Sequence, residues 1–405
     1  MVSLLFALMP ASTSLAPRSG RNRICYDAGR QAPPAATATG RERNHREKKT
    51  PEWTRPLQGS RGRLSRVSTR DDDPTAAAQP PGTERTVRYV IALDVGGTGM
   101  KAALIGSGNE LLHEARRATG RERGPDAVVE AILDFAAELR TLGLERYGTE
   151  PSAAGVAVPG IVDDAQGVAV FSANLGWRDV PLRALLSERL GRGRPAGAPP
   201  LPVALGHDVR TGGLAEGRIG AGEGVDRYLF LPLGTGIAGA IGIGDRVEPG
   251  AHGSAGEIGH IVVRPDGPPC GCGQRGCLER LASASAVGEA WAAASGDPEA
   301  TAADAAKAVE SGDPRAVKVW ADAIDALATG LVTGITLLDP RTLIIGGGLA
   351  EAGDTLFVPL REAVREKVTF QPLPAIVPAA LGDAAGCLGA GLLAWDLLSA
   401  EVASR

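Results

Sequence analysis

Val87-Arg88-Tyr89-Val90-Ile91-Ala92-Leu93-Asp94 runs on into Val95-Gly96-Gly97-Thr98-Gly99 and Met100-Lys101-Ala102-Ala103-Leu104-Ile105, and the reading of this stretch decides the fold. Two apolar, β-rich runs flank a glycine turn, which predicts a hairpin. Glycines in such a turn let backbone N–H groups come close to an anion. Asp94, at the strand end, is placed to hold magnesium through water, and Thr98 to donate to a phosphate oxygen. A plain hairpin turn that happens to carry an Asp is the alternative. Downstream, a third strand fits Leu111–Arg117, and Pro125-Asp126 opens a helix with Val128, Ile132, Phe135 and Leu139 at helical spacing.

The strand-then-glycine pattern recurs. Ala153–Val158 ends at Pro159-Gly160, Tyr228–Leu233 at Gly234-Thr235-Gly236, and Thr342–Ile345 at Gly346-Gly347-Gly348. Three glycines after a buried strand leave a flat backbone surface suited to a purine or ribose. In this order the glycine loops indicate a nucleotide cleft with two phosphate loops and an adenosine loop. A short strand over 202–205 leads to His207-Asp208, with a helix over Leu214–Arg218. Asp208 is a natural general base for a hydroxyl, and equally a helix N-cap. Residues 282–334 are Ala-rich and helical, broken by Gly-Asp-Pro at 296–298 and 312–314, and the terminal helix is Ala384–Leu398. Strands and helices alternate on both sides of the Gly/Pro-rich linker Gly191–Pro200, which predicts an α/β chain of two lobes around a cleft.

Charge and cysteines narrow the field. The chain carries 43 Lys+Arg against 47 Asp+Glu, a net charge of −4, too even for a general nucleic-acid binder. No apolar run reaches the roughly 20 residues of a membrane span. Residues 1–87 hold a net +7 and the remainder −11. The first stretch, 1–86, is rich in Pro, Arg, Ser and Thr without apolar periodicity and reads as a disordered leader; an upstream start codon accounts for it as well as any function does. It lacks the basic n-region of a signal peptide, so the expected location is cytoplasmic. Of the five cysteines, Cys270, Cys272 and Cys277 crowd into eight residues, ten after Glu257-Ile258-Gly259-His260. Three thiols and one imidazole make a closed tetrahedral zinc site, structural because no coordination position stays open. Cys25 lies in the leader and Cys387 in the core of the last helix, while His45, His113 and His252 read as surface residues.

On these residues the chain from about Val87 to its end resembles the ROK family (repressors, open reading frames and kinases) of actin-like sugar kinases. The stretch from Gly259-His260 to Glu279 carries the likeness most specifically, with Asp94–Thr98, Leu233–Gly236 and Ile345–Gly348. The resemblance implies an α/β, actin-like (ribonuclease H-like) fold. Its smaller lobe would be 87–205, joined by the C-terminal helix 384–400; its larger lobe would be 206–383, with the zinc loop. It implies transfer of the ATP γ-phosphate to the 6-hydroxyl of glucose or N-acetylglucosamine, with N-acetylmannosamine or a polyphosphate donor as alternatives. Asp208 would be the base. Asp94, Gly96, Gly97, Thr98, Lys101, Gly234, Thr235 and Gly236 would meet phosphate and magnesium, and Gly346, Gly347 and Gly348 the nucleoside. Gly160, Asn174, His207, Glu257, His260 and Glu279 would line the sugar site, with His260 also on zinc beside Cys270, Cys272 and Cys277. A homodimer or homotetramer is the implied assembly. Two positions depart from the family pattern: His207 stands for the usual Asn, and Gly99 for a Lys that many members carry after the Thr. A sugar-responsive repressor of the same family is the rival reading; it needs a helix-turn-helix, and residues 1–86 contain no pair of amphipathic helices.

Overall fold

The computed structural model describes residues 87–195 and 197–403; the leader expected over 1–86, with Cys25 and His45, lies outside them. A first sheet forms from β1 (Tyr89–Val95), β2 (Gly99–Gly106), β3 (Leu111–Ala118), β4 (Ala154–Val158) and β8 (Val203–His207), in the order β3-β2-β1-β4-β8. Between β3 and β4 runs α1 (Pro125–Tyr147). Between β4 and β8 come a small antiparallel sheet, β5 (Ile161–Asp163), β6 (Val168–Ser172) and β7 (Trp177–Val180), and then α2 (Leu182–Gly191). Strand β8 passes without a turn into α3 (Asp208–Ile219), so the lobe boundary expected at 205/206 falls inside a strand of the first sheet.

The second sheet has the order β11-β10-β9-β12-β13, from β9 (Arg227–Pro232), β10 (Ala240–Ile243), β11 (Arg246–Val247), β12 (Thr342–Gly346) and β13 (Ala375–Pro378). Between β11 and β12 lie α4 (Glu279–Ala282), α5 (Ala284–Ser295), α6 (Ala302–Glu310) and α7 (Pro314–Leu338); α8 (Asp354–Lys367) and α9 (Ala385–Ala403) complete the chain. The expected helix breaks are real and chemically specified. Thr301 and Asp304 form a capping box on α6, and Asp313 caps α7 ahead of Pro314. Helix α7 is long and apolar enough to cross a membrane by length and composition, but its Trp320, Leu327, Leu331 and Ile335 are buried in the core of the second sheet.

Alternation along β1 explains the layering. Tyr89, Ile91, Leu93 and Val95 face a core shared with α1 and α2, whereas Val90 and Ala92 face α9. In the second sheet Leu229 and Leu231 face α5, α7 and α8, while Tyr228 and Phe230 face α3. Helices α3 and α9 therefore pack on each other between the two sheets. They do so at backbone contact. A Cβ at Gly389 would lie 2.0 Å from the Thr211 carbonyl oxygen, and one at Gly155 in β4 would lie 1.9 Å from the Ala390 carbonyl oxygen.

Because the atom that would be struck is backbone, Gly155→Ala cannot be absorbed by a rotamer change. It should destabilise the protein by at least about 2 kcal/mol, read as a lower Tm and a lower denaturation midpoint; an unchanged midpoint would show that α9 does not sit this close to β4.

Candidate active site in the interlobe cleft

The floor of the cleft is built by two carboxylates and two helix N-termini. The hairpin register sets Asp94 opposite Lys101. Asp208 is the first residue of α3, and the cap ahead of it is His207, whose Nδ1 accepts from the Arg210 N–H at 3.4 Å. The capping role thus falls to His207. Asp208 accepts the N–H of Val209, at 2.7 Å on Oδ1, and that oxygen lies 3.4 Å from His207 Nδ1. From the other side, the carboxyl of Asp94 rests on the first turn of α9, where a Cβ at Gly386 would lie 2.3 Å away. The resulting cleft, about 520 Å³, is lined by Asp94, Gly96, Lys101, Asp208, Gly346–Gly348 and Asp383.

Burial dominates the electrostatics. It pushes Asp208 up to about 6, against the pull of the Val209 N–H and the Arg210 cation. It also pushes Asp94 up to about 6; Lys101 opposes that shift and the Asp208 carboxylate adds to it. His207 is driven down to about 4 by burial, with Arg210 adding to the shift and Glu257 opposing it. At neutral pH the imidazole is therefore uncharged, as its acceptor role at the cap requires.

The later glycine loops lie side by side. Leu233 N–H donates to Gly346 O at 2.8 Å, and Leu349 N–H donates to Leu233 O at 3.1 Å. Gly234, Thr235 and Gly348 line a cavity of about 1130 Å³ with the small-residue face of α5 (Ala284, Gly288, Ala292); it shares Gly348 and Glu351 with the first cleft. Thr98 is exposed at the hairpin tip, and its carbonyl accepts from Thr119 N–H at 3.0 Å.

The remaining expected residues are linked in pairs. A Cβ at Gly97 would lie 3.7 Å from Asn174 Cβ. Gly160 turns against the backbone of Phe171 and Ser172, just before Asn174. Glu279 Oε2 accepts from Ile237 N–H at 2.9 Å and lies over Gly236. Glu257 precedes a 3-10 turn, Ile258–His260. His252 is exposed as expected, whereas His113 is half-buried on β3 with Arg146 3.4 Å from its Nδ1. Cys387 is buried in α9, as expected. Asp383, Glu351 and the α5 face escaped the sequence reading; the small residues at 284, 288 and 292 repeat at helical spacing and could have been read.

His260, Cys270, Cys272 and Cys277 present ligand atoms all within 4.8 Å of one another. His260 Nδ1 is 3.6 Å from Cys270 Sγ, and Cys272 Sγ is 3.6 Å from Cys277 Sγ. Tetrahedral zinc, with Zn–S of about 2.3 Å and Zn–N of about 2.0–2.1 Å, places two sulfurs about 3.8 Å apart and a sulfur and nitrogen about 3.6 Å apart. The four residues fit that ion. The loop is tied to the His260 turn through Leu278 N–H to Ile261 O at 2.9 Å.

Comparisons with known proteins give the family. The ROK family profile matches residues 90–396. A glucokinase of Thermotoga maritima is 33% identical over 317 residues, covering 74% of this chain and 95% of the relative. A solved ROK hexokinase from Thermus thermophilus superposes with a TM-score of 0.66 at 33% identity, covering 77% of this chain and 99% of that one. A ROK family glucokinase from Streptomyces griseus, solved in complex with glucose and AMPPNP, gives a TM-score of 0.63 at 30% identity, covering 76% and 99%.

Two measurements test the site. The raised pKa of Asp208 means the folded protein keeps a proton between about pH 4 and 6 that the unfolded chain has released, so its stability contribution is present below that window and lost as pH rises through 6. Asp208→Asn should therefore stabilise the fold at pH 7.5 by on the order of 1 kcal/mol, an advantage that shrinks toward pH 4; a variant less stable than wild type at pH 7.5 would remove the buried charge from this account. Elemental analysis should find about one zinc per chain, and Cys272→Ser should lose it and melt at lower temperature. A metal-free wild type with the same Tm would refute the cluster.

Proposed function

Because this chain belongs to the ROK family and is glucokinase-like along its matched length, we propose that it transfers the γ-phosphate of ATP to the 6-hydroxyl of a hexose, with glucose and N-acetylglucosamine as acceptors. The observation that carries the reading is Asp208. Its carboxyl stands at the head of α3, held by the Val209 N–H, in the cleft that the glycine loops also line. A pKa of about 6 leaves it ionised at neutral pH yet close enough to that pH to take a proton efficiently.

The donor lies along the second and third glycine loops, with its nucleoside in the larger cavity beside α5 and its phosphates toward Asp94 and Lys101. Asp94 is the group placed to hold the magnesium of the nucleotide, which supplies neutralisation of the phosphate charge. The N-termini of α3 and α9 and the ammonium of Lys101 favour the same charge. The hydroxyl proton goes to Asp208, and the remaining rate comes from positioning and electrostatics. Asn174, Glu257, Glu279 and His260 orient the acceptor; with His260 Nδ1 turned to the thiols, Nε2 is left for a sugar hydroxyl. Zinc, held by His260, Cys270, Cys272 and Cys277, supplies rigidity to this loop. His207 commits Nδ1 to the helix cap and has one N–H left to read the sugar. ATP as donor favours a cytoplasmic site of action.

A coupled assay over glucose, N-acetylglucosamine and N-acetylmannosamine, with ATP or polyphosphate, should find turnover with ATP on the first two sugars. Asp208→Asn should lower kcat by roughly 10²–10⁴ while sugar still binds. No phosphorylation of any hexose by the wild type, or near-normal kcat in the variant, would overturn the reading.

A further inference from the structure

Lys101 is the one cationic side chain among the described residues lining the donor cleft, and it does not stand free. Its ammonium donates to Asp383 Oδ1 at 2.7 Å and to the Asp383 carbonyl at 3.1 Å, and lies 3.9 Å from Asp94 Oδ2. Asp383 Oδ2 accepts from Arg116 at 2.7 Å. One carboxylate thus ties β2 and β3 to the 3-10 turn that opens α9. A flexible four-carbon stem places its charge only as well as its anchor does.

That anchor is itself fixed from an unusual direction. Glu216 on α3 is fully buried. Its Oε1 accepts from Leu381 N–H at 2.8 Å, and its Oε2 from Ala380 N–H at 3.0 Å and Ala221 N–H at 2.9 Å. A carboxylate is costly to bury, and three backbone donors are what hold this one in place. The helix that begins with Asp208 therefore fastens the segment that ends with Asp383.

We propose that Asp383 is a positioning residue for the phosphate donor: it aims the Lys101 ammonium at the donor's terminal phosphates, on a turn that Glu216 locks to the Asp208 helix. The proposal rests on the reading of this cleft as a nucleotide site, and its test needs no turnover, so a failed hexose assay and a failed positioning role remain distinct results. Calorimetry with AMPPNP and with AMP separates the two, because AMP lacks the terminal phosphates. Asp383→Asn should weaken AMPPNP about tenfold and leave AMP within twofold. In a Lys101→Met background the same change should have no further effect, since coupled residues are not additive. Glu216→Gln, checked for folding by its melting curve, should reproduce the selective loss of AMPPNP affinity. Wild-type AMPPNP affinity in Asp383→Asn, equal losses for both nucleotides, or additive losses with Lys101→Met would overturn the proposal.

Discussion

The contact on which the molecule depends is the backbone-close packing of α3 against α9 between the two sheets. Gly389 stands against the Thr211 carbonyl and Gly155 against that of Ala390, so the pair fits a gap too narrow for side chains. Both helices start at the same place, and that place carries Asp94 and Asp208. Their N-termini supply partial positive charge, which offsets part of the cost of two neighbouring carboxylates and then suits an incoming phosphate. Widening the gap by a methyl group would separate the groups that must act together.

The same site is a standing strain on the fold. Two carboxyls raised to about 6 are two groups whose charged forms the folded state disfavours at neutral pH. Such shifts gather where chemistry is done and are retained at the expense of stability. The cluster of three cysteines and His260 is placed to work in the opposite direction. Glu279 follows Cys277 by two residues and opens α4, so a metal on those four ligands would fix the start of a helix too short to fix itself.

Much of this was legible in the chain, and the reasons are specific. The strands β1, β2, β4, β9 and β12 are buried apolar runs ended by glycine, a strong signal. Both Gly-Asp-Pro breaks mark real helix boundaries, by different chemistry: at 312–314 Asp313 caps α7 and Pro314 begins it, whereas at 296–298 Gly296 ends α5 in the left-handed conformation and Thr301 caps α6. The small sheet β5–β7 was not read: its strands have three to five residues, too few for a period to emerge. Helix α8 hid behind Pro359, and α3 was expected only from Leu214, since Gly212 and Gly213 follow its first turn and its cap is a histidine. The strand-end positions of Asp94 and Gly346 and the loop positions of the cysteines followed from local motifs. Asp383 did not, because its partners Lys101 and Arg116 lie more than 260 residues away and no local pattern records such a meeting.

Helix α9 also sets a timetable. Strands β1, β4 and β8 leave the ribosome before the second sheet, yet the face formed by Val90, Ala92 and Ala157 is covered by Leu388, Ala390, Leu392 and Ala394, which are made after it. During synthesis that apolar face waits, open to other chains, for nearly the whole length of the second sheet to appear. The first sheet can pair its strands on its own schedule, but it becomes a finished, aggregation-safe unit only when α9 returns to it.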